Sequence, residues 1–373
     1  MSKRLKKKVQ SILKKADIVV DGNRPWDIQV FDDDIYNDLL KRGNLALGEG
    51  YMDKKWEVKS VDQLIYRLLK TRLDKYAGQD LSIVLYVLST KLFNLQNIKR
   101  SKIVGEVHYD VGNDLYQKML DKRMNYSCGY WKDAENIDQA QENKLDLICR
   151  KLKLKPGDRV LEIGCGWGGF LSFAAEKYGI NGIGVTISKE QHKLACERLK
   201  GYPVEIRLQD YREINEEKFD YAVSIGMFEH VGPKNYREHM EAVARNLKEG
   251  GLYLLHTIGG NNSSSKTDRW IDKYIFPNSK LPSAKEITEA AEGIFDLEDW
   301  HNFGVNYDKT LMAWYENFEK AWPELKDSYD EKFYRMWKYY LLSCAASFRA
   351  RYNHLWQIVL SKPNLENGYE SVR

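Results

Sequence analysis

The sequence is poor in cysteine, histidine and proline, with 5 Cys, 7 His and 8 Pro among 373 residues. The cysteines, at 128, 149, 165, 196 and 344, form no CxxC pair and no Cys/His cluster at zinc spacing. That excludes a disulfide scaffold and a zinc module, and it fits a reducing cytoplasm. Long apolar runs are absent as well. The longest stretch, Leu81 to Leu88, falls far short of the roughly 20 residues of a spanning helix. The basic start, Met1 to Lys15, leads only into Ile18-Val19-Val20, too short for the apolar core of a secretory signal. Membrane contact is therefore expected to be peripheral. No internal repeat and no low-complexity segment occurs, and 43% hydrophobic with 30% charged residues excludes a disordered chain. The length suits two domains.

Charge of one sign is in slight excess overall, at +4, but its distribution is uneven. Residues 1–100 hold 20 Lys and Arg against 13 Asp and Glu, hence +7, and the remaining 273 hold 38 against 41, hence −3. The first part is thus suited to an anionic surface, lipid or nucleic acid. Leu5, Val9, Ile12 and Leu13 recur at helical spacing among Lys3, Arg4, Lys6, Lys7, Lys8, Lys14 and Lys15, which predicts a basic amphipathic helix. The alternative is a merely solvated helix. A second helix is expected from Val61 to Leu73 and a third from Leu81 to Leu95. The third is apolar almost all round, which suits core or a subunit contact better than lipid.

Beyond the polar link Gln96 to Lys102 the pattern changes. Arg159 to Ile163, Gly182 to Thr186, Val204 to Leu208, Phe219 to Ile225 and Leu252 to Thr257 read as buried strands. Helical segments such as Glu190 to Lys200 and Lys234 to Leu247 separate them. The alternation predicts an α/β fold with a doubly wound parallel sheet. A Trp- and Tyr-rich helical stretch, about Asp308 to Tyr352, precedes a last strand at Leu355 to Leu360. Its aromatics, among them Trp314, Tyr315, Trp322 and Trp337, suit core packing, with a few able to wall an acyl tunnel.

The first strand of that sheet runs through Glu162 into Gly164-Cys165-Gly166-Trp167-Gly168-Gly169. Glycines at a strand-to-helix turn admit a ligand close to the backbone. Gly164, Gly166 and Gly169 also fit the dinucleotide pattern, but the second strand ends in Gly184-Val185-Thr186-Ile187-Ser188 with no ribose-binding acid. Acidic residues stand instead before the first glycine, as Glu162, and after the third strand, as Asp210 beside Tyr211. This is how Rossmann-like S-adenosylmethionine methyltransferases usually read, and acidic partners suit a sulfonium better than an anion cradle does. Asp210 could equally be a helix cap, and Tyr211 a packing aromatic.

Several rarer strings then occur in order: His108-Tyr109-Asp110-Val111-Gly112-Asn113-Asp114, Asn125-Tyr126-Ser127-Cys128-Gly129-Tyr130-Trp131, Gly226-Met227-Phe228-Glu229-His230-Val231-Gly232 and Leu255-His256-Thr257-Ile258-Gly259. With Trp270 to Pro277, Asp299 to Gly304 and Thr310 to Tyr315, they make the chain from about Gly105 to Ser361 resemble the cyclopropane-fatty-acyl-phospholipid synthases. The related mycolic-acid cyclopropane synthases share this part but lack the N-terminal hundred residues.

The resemblance implies a class I methyltransferase fold over residues 101–373, with a small, mainly helical N-terminal domain over 1–100 for lipid binding and dimerisation. It implies S-adenosylmethionine as methyl donor, held by Tyr126, Ser127, Glu162, Gly164, Gly166, Gly168, Thr186, Ile187, Ser188, Gln191, Asp210 and Tyr211. It further implies bicarbonate as base, held by Cys128, Glu229, His256, the Ile258 backbone and Tyr307, with no metal. The reaction implied is attack of a cis double bond on the sulfonium methyl, followed by proton loss and ring closure. Partners would be a bilayer surface with unsaturated acyl chains and a second copy of the chain. The location would be the cytoplasm, at the inner face of the cell membrane. Proton loss elsewhere from the same cation would give a methyl-branched or methylene product instead. A lipid- or nucleic-acid-binding protein without catalysis fits less well, since the Cys128, Glu229, His256 and Tyr307 set is intact and no long basic, aromatic-interleaved stripe follows residue 15.

Overall fold

A computed structural model describes residues 2–71, 112–215, 218–264 and 267–373. The expected helix at 81–95, the link at 96–102 and the first string from 108 to 111 lie outside the described residues.

The larger of two compact units is built on one seven-stranded sheet. Its strands are β1 (Arg159–Ile163), β2 (Asn181–Thr186), β3 (Val204–Leu208), β4 (Phe219–Ile225), β5 (Leu247–Gly259), β6 (Asp296–Asn302) and β7 (His354–Ser361), in the order 3-2-1-4-5-7-6. The first five pair in parallel, and β7 runs antiparallel to both β5 and β6. Leu161, Val223, Leu254 and Ile358 are buried in the middle of the sheet, so these segments read as continuous apolar runs. The five expected strands, the last strand and the helices Gly169–Tyr178, Lys189–Arg198 and Tyr236–Asn246 stand where the sequence places them to within a few residues. β6 was not expected. Its sequence, DLEDWHN, is too polar to announce a strand, and it occupies the edge, where Leu297 is exposed. The sheet is therefore mostly rather than wholly parallel.

The second unit combines the described parts of residues 1–93 with 265–277 and 308–353. This differs from a contiguous division near residue 100. The reason lies in packing: the helix Glu331–Arg349 lies against Asn44–Met52 and Val61–Lys70. Arg335 donates to the Tyr51 carbonyl at 2.6 Å and to Glu57 at 2.7 Å, and Arg349 bridges Asp62 at 2.6 Å and Asp308 at 2.9 Å. Trp56, Trp270 and Trp337 are almost wholly buried in the same unit, and a side chain on Gly48 would run into the Trp270 ring. The late aromatics are thus core for the early helices.

The basic first helix, Ser2–Lys15, is present. It packs on Asp34–Arg42 with Val9 buried, while Lys14 and Lys15 are exposed. At Val9 the apolar face is covered by protein, so the exposed lysines can attract an anionic surface by charge. Among the described residues no helix is long and apolar enough to cross a membrane.

Candidate functional site

A cleft opens at the C-terminal ends of β1, β2, β3 and β4, where open α/β sheets hold their ligands. It encloses about 1210 Å3, its open mouth included. Gly164, Gly166 and Gly168 all have positive φ, at 78°, 53° and 78°. At Gly164 a Cβ would stand 2.8 Å from Cβ of Met227, and at Gly169 it would stand 2.7 Å from the Arg123 carbonyl oxygen. At Gly166 nothing among the described residues lies within 4 Å of such an atom, which leaves room there for a ligand. Trp167 holds the loop from behind, its indole donating to Asn113 at 3.2 Å and its rings 5.0 Å from Tyr116, which in turn meets Tyr126 at 5.1 Å.

Every expected cofactor residue except Gly168 lines this cleft. Gly168 serves packing: a Cβ there would stand 2.3 Å from Leu199, so its bareness lets two helices approach. Thr186 donates to Gln191 at 2.9 Å, and Ser188 caps Lys189–Arg198 by accepting from the Gln191 amide at 3.3 Å. The Asp210 carboxylate is gripped by Arg212 through Nε at 2.9 Å and Nη2 at 2.6 Å, and also caps the turn that follows. Its capping and lining roles coexist. Glu162 is buried with Oε2 unbonded, and burial pushes its carboxyl well above the usual range.

Cys128, Glu229, His256, Ile258 and Tyr307 do not line the cleft; Cys128 and Glu229 adjoin it in sequence, since Ser127 and His230 do line it. Oε1 of Glu229 accepts the Ile258 N–H at 2.7 Å, while Oε2 has no partner. The backbone donor that the resemblance assigns to bicarbonate is therefore bonded to Glu229 here. Burial raises the Glu229 carboxyl to about 7, opposed by that N–H. His256, paired in register with Ile225 at the end of β4, faces Gln357 across the β5–β7 pair, with Nδ1 3.3 Å from Gln357 Nε2. The other ring nitrogen, Nε2, is buried and has no partner among the described residues. Burial, then the charges of Lys144 and Lys151, hold this ring neutral, far below its ordinary pKa. Cys128 and Tyr307 are both buried, and their chain neighbours meet: the Trp131 backbone N–H donates to Asn306 Oδ1 at 2.7 Å, Tyr130 meets Phe303 at 5.4 Å, and Phe303 meets His256 at 6.0 Å.

Sequence reading missed Asn125, Arg212 and His230, which also line the cleft. Burial lowers the His230 ring to about 4, so it is uncharged there. Lys144 was missed as well, and a signal existed: Gln141, Lys144, Ile148 and Lys151 share one face of the helix Ile137–Lys151, and all are buried. Among the described residues no group of three or more His, Cys, Asp or Glu is placed to hold a metal ion.

The profile of the mycolic acid cyclopropane synthetase family matches residues 96–358. The chain belongs to that family. Its similarity to the cyclopropane-fatty-acyl-phospholipid synthase of Escherichia coli K12 is 51% identity over 362 residues, 97% of this chain and 94% of that protein. A probable fatty acid methyltransferase of Pseudomonas putida is 38% identical over 70% of each chain. Among solved structures, the cyclopropane synthase MmaA2 of Mycobacterium tuberculosis superposes with a TM-score of 0.67 at 29% identity, covering 72% of this chain and all of that one. The mycolic acid cyclopropane synthase CmaA1, complexed with SAH and CTAB, gives 0.66 at 31%, covering 70% of this chain and 98% of that one. The family is thus that of class I methyltransferases, and the sheet order here is its fold.

Proposed function

We propose that this chain converts unsaturated phospholipid acyl chains to cyclopropane chains, with S-adenosylmethionine as methyl donor and bicarbonate as base. The observation that carries the reading is the 97% coverage by the Escherichia coli synthase, which takes in the residues ahead of the family match at 96. When bound, the cofactor supplies an electrophilic methyl, and the site's residues fit it. The bare turn at Gly166 leaves room, Arg212 fixes Asp210, and Glu162 offers an unbonded oxygen. Attack by the double bond leaves a carbocation on the lipid, which must be shielded from water and relieved of one proton.

Glu229 suits the onward transfer of that proton. Ile258 anchors one oxygen, the other is free, and a carboxyl near 7 both accepts and releases a proton at neutral pH. His256 presents a ring that stays neutral, and Cys128 and Tyr307 complete the small pocket that holds the base. The exposed Lys14 and Lys15 draw the protein to the anionic inner face of the membrane, so it acts there peripherally. A pair of chains joined through residues 81–95 is part of this reading, on the apolar pattern alone.

The test is incubation of the purified chain with vesicles of unsaturated phospholipid and cofactor. Acyl mass rises by one CH2, and high-field ring protons appear in the NMR spectrum. No mass gain overturns the reading. A gain without ring protons favours the second reading, a fatty-acyl C-methyltransferase, which similarity to the Pseudomonas putida protein supports.

A further inference from the structure

Lys144 is fully buried, yet its ammonium makes one hydrogen bond, to the Ser127 hydroxyl at 3.0 Å. No carboxylate among the described residues stands within ion-pair reach of it. The acids that feel its charge are Asp121 and Glu162. Asp121 is taken up by Asn125, through N at 2.7 Å and Nδ2 at 2.8 Å. Glu162 is held toward its neutral form by burial. A buried cation without an anion is costly, and a folded protein keeps one where a ligand completes the pair.

The surroundings say which ligand. Gln141, one turn earlier on the same helix, donates to the Ser127 carbonyl at 2.7 Å, so this helix face clamps the segment that carries Cys128. The charge of Lys144 acts on both the Cys128 thiol and the His256 ring. The residues assigned to the base site are otherwise neutral donors and one acid, with no cation of their own. We propose that the Lys144 ammonium is the buried counter-charge of a small-oxyanion site beside Cys128 and His256, and a positioning residue for the reaction. This rests on the bicarbonate reading above. Lys151, which also reaches His256, is committed elsewhere, 3.6 Å from Asp299, to which Arg373 also binds. Burial lowers the Lys144 ammonium to about 8, so it carries its charge at neutral pH.

The test uses the full chain loaded with S-adenosylhomocysteine and titrated with 13C-bicarbonate, followed by NMR. In Lys144→Met the anion binds roughly tenfold or more weakly, while S-adenosylhomocysteine affinity stays within roughly threefold. Lys144→Arg restores part of the anion affinity. Lys144→Gln keeps a bond to Ser127 without the charge and decides the question if the Met variant does not fold. Turnover in carbonate-stripped buffer follows the same order, the Met variant needing more added bicarbonate. Equal anion affinity in wild type and both neutral variants overturns the proposal. So does an equal loss of S-adenosylhomocysteine affinity, which would assign Lys144 to the cofactor carboxylate. A wild-type protein that shows no bicarbonate binding refutes the base-site reading itself, and this inference with it.

Discussion

Replacing Glu229 with Gln separates what the carboxylate does for the reaction from what it costs the fold. The group rises from an ordinary 4.5 to about 7 on folding because it is buried. The native state therefore holds its proton more tightly than the unfolded chain does. The resulting stability is complete below 4.5 and is lost as the pH rises through 7. At about 1.4 kcal/mol for each tenfold change in proton affinity, the full swing is about 3 kcal/mol, most of which falls between pH 5 and pH 8. Gln keeps an oxygen for the Ile258 N–H but cannot ionise, so its pH-independent costs cancel when the two pH values are compared. Relative to wild type, Glu229→Gln should gain about 2 to 3 kcal/mol from pH 5 to pH 8, or roughly 5 to 10 °C in melting temperature for a unit of this size. Turnover should fall by about 10²-fold or more, with cofactor affinity little changed, and the wild-type rate should climb with pH through about 7. Thermal melts at the two pH values, beside single-turnover assays, provide the check. Parallel pH dependence in variant and wild type would show that Glu229 does not titrate in this range, and near-normal turnover would remove it from the proton path.

Gly164→Ala should weaken cofactor binding and cost about 1–3 kcal/mol, because a Cβ at φ 78° meets the Met227 side chain at 2.7 Å. Wild-type melting and affinity in that variant would mean that the loop adapts freely. Raising salt from 0.1 to 1 M shortens electrostatic reach from about 10 to about 3 Å, so binding to anionic vesicles should collapse while cofactor affinity changes little. Equal sensitivity of the two would contradict a charge-driven membrane contact.

The strands and the glycine turn were legible because burial on both faces and a bare backbone leave local marks in a sequence. The lining residues of the cleft could be named in advance because they follow strand ends in recognisable strings. At Gly168 the motif was silent on one point: a glycine that admits a ligand and one that admits a neighbouring helix look alike in a sequence, and the closeness of Leu199 is visible only in the structure. β6 stayed hidden because an edge strand has one neighbour and can remain polar.

The sequence alone determined the nature of the cofactor cleft and the charge imbalance, since each is a matter of which residues occur and at what spacing. Tertiary structure decided the rest. Residues 308–353 joined the early helices because Arg335 and Arg349 find partners there across more than two hundred residues. The Ile258 amide went to Glu229, and Lys144 was buried beside Ser127 with no carboxylate partner among the described residues. Charge states of buried groups depend on what surrounds them in space, and the chain order of residues carries no record of that.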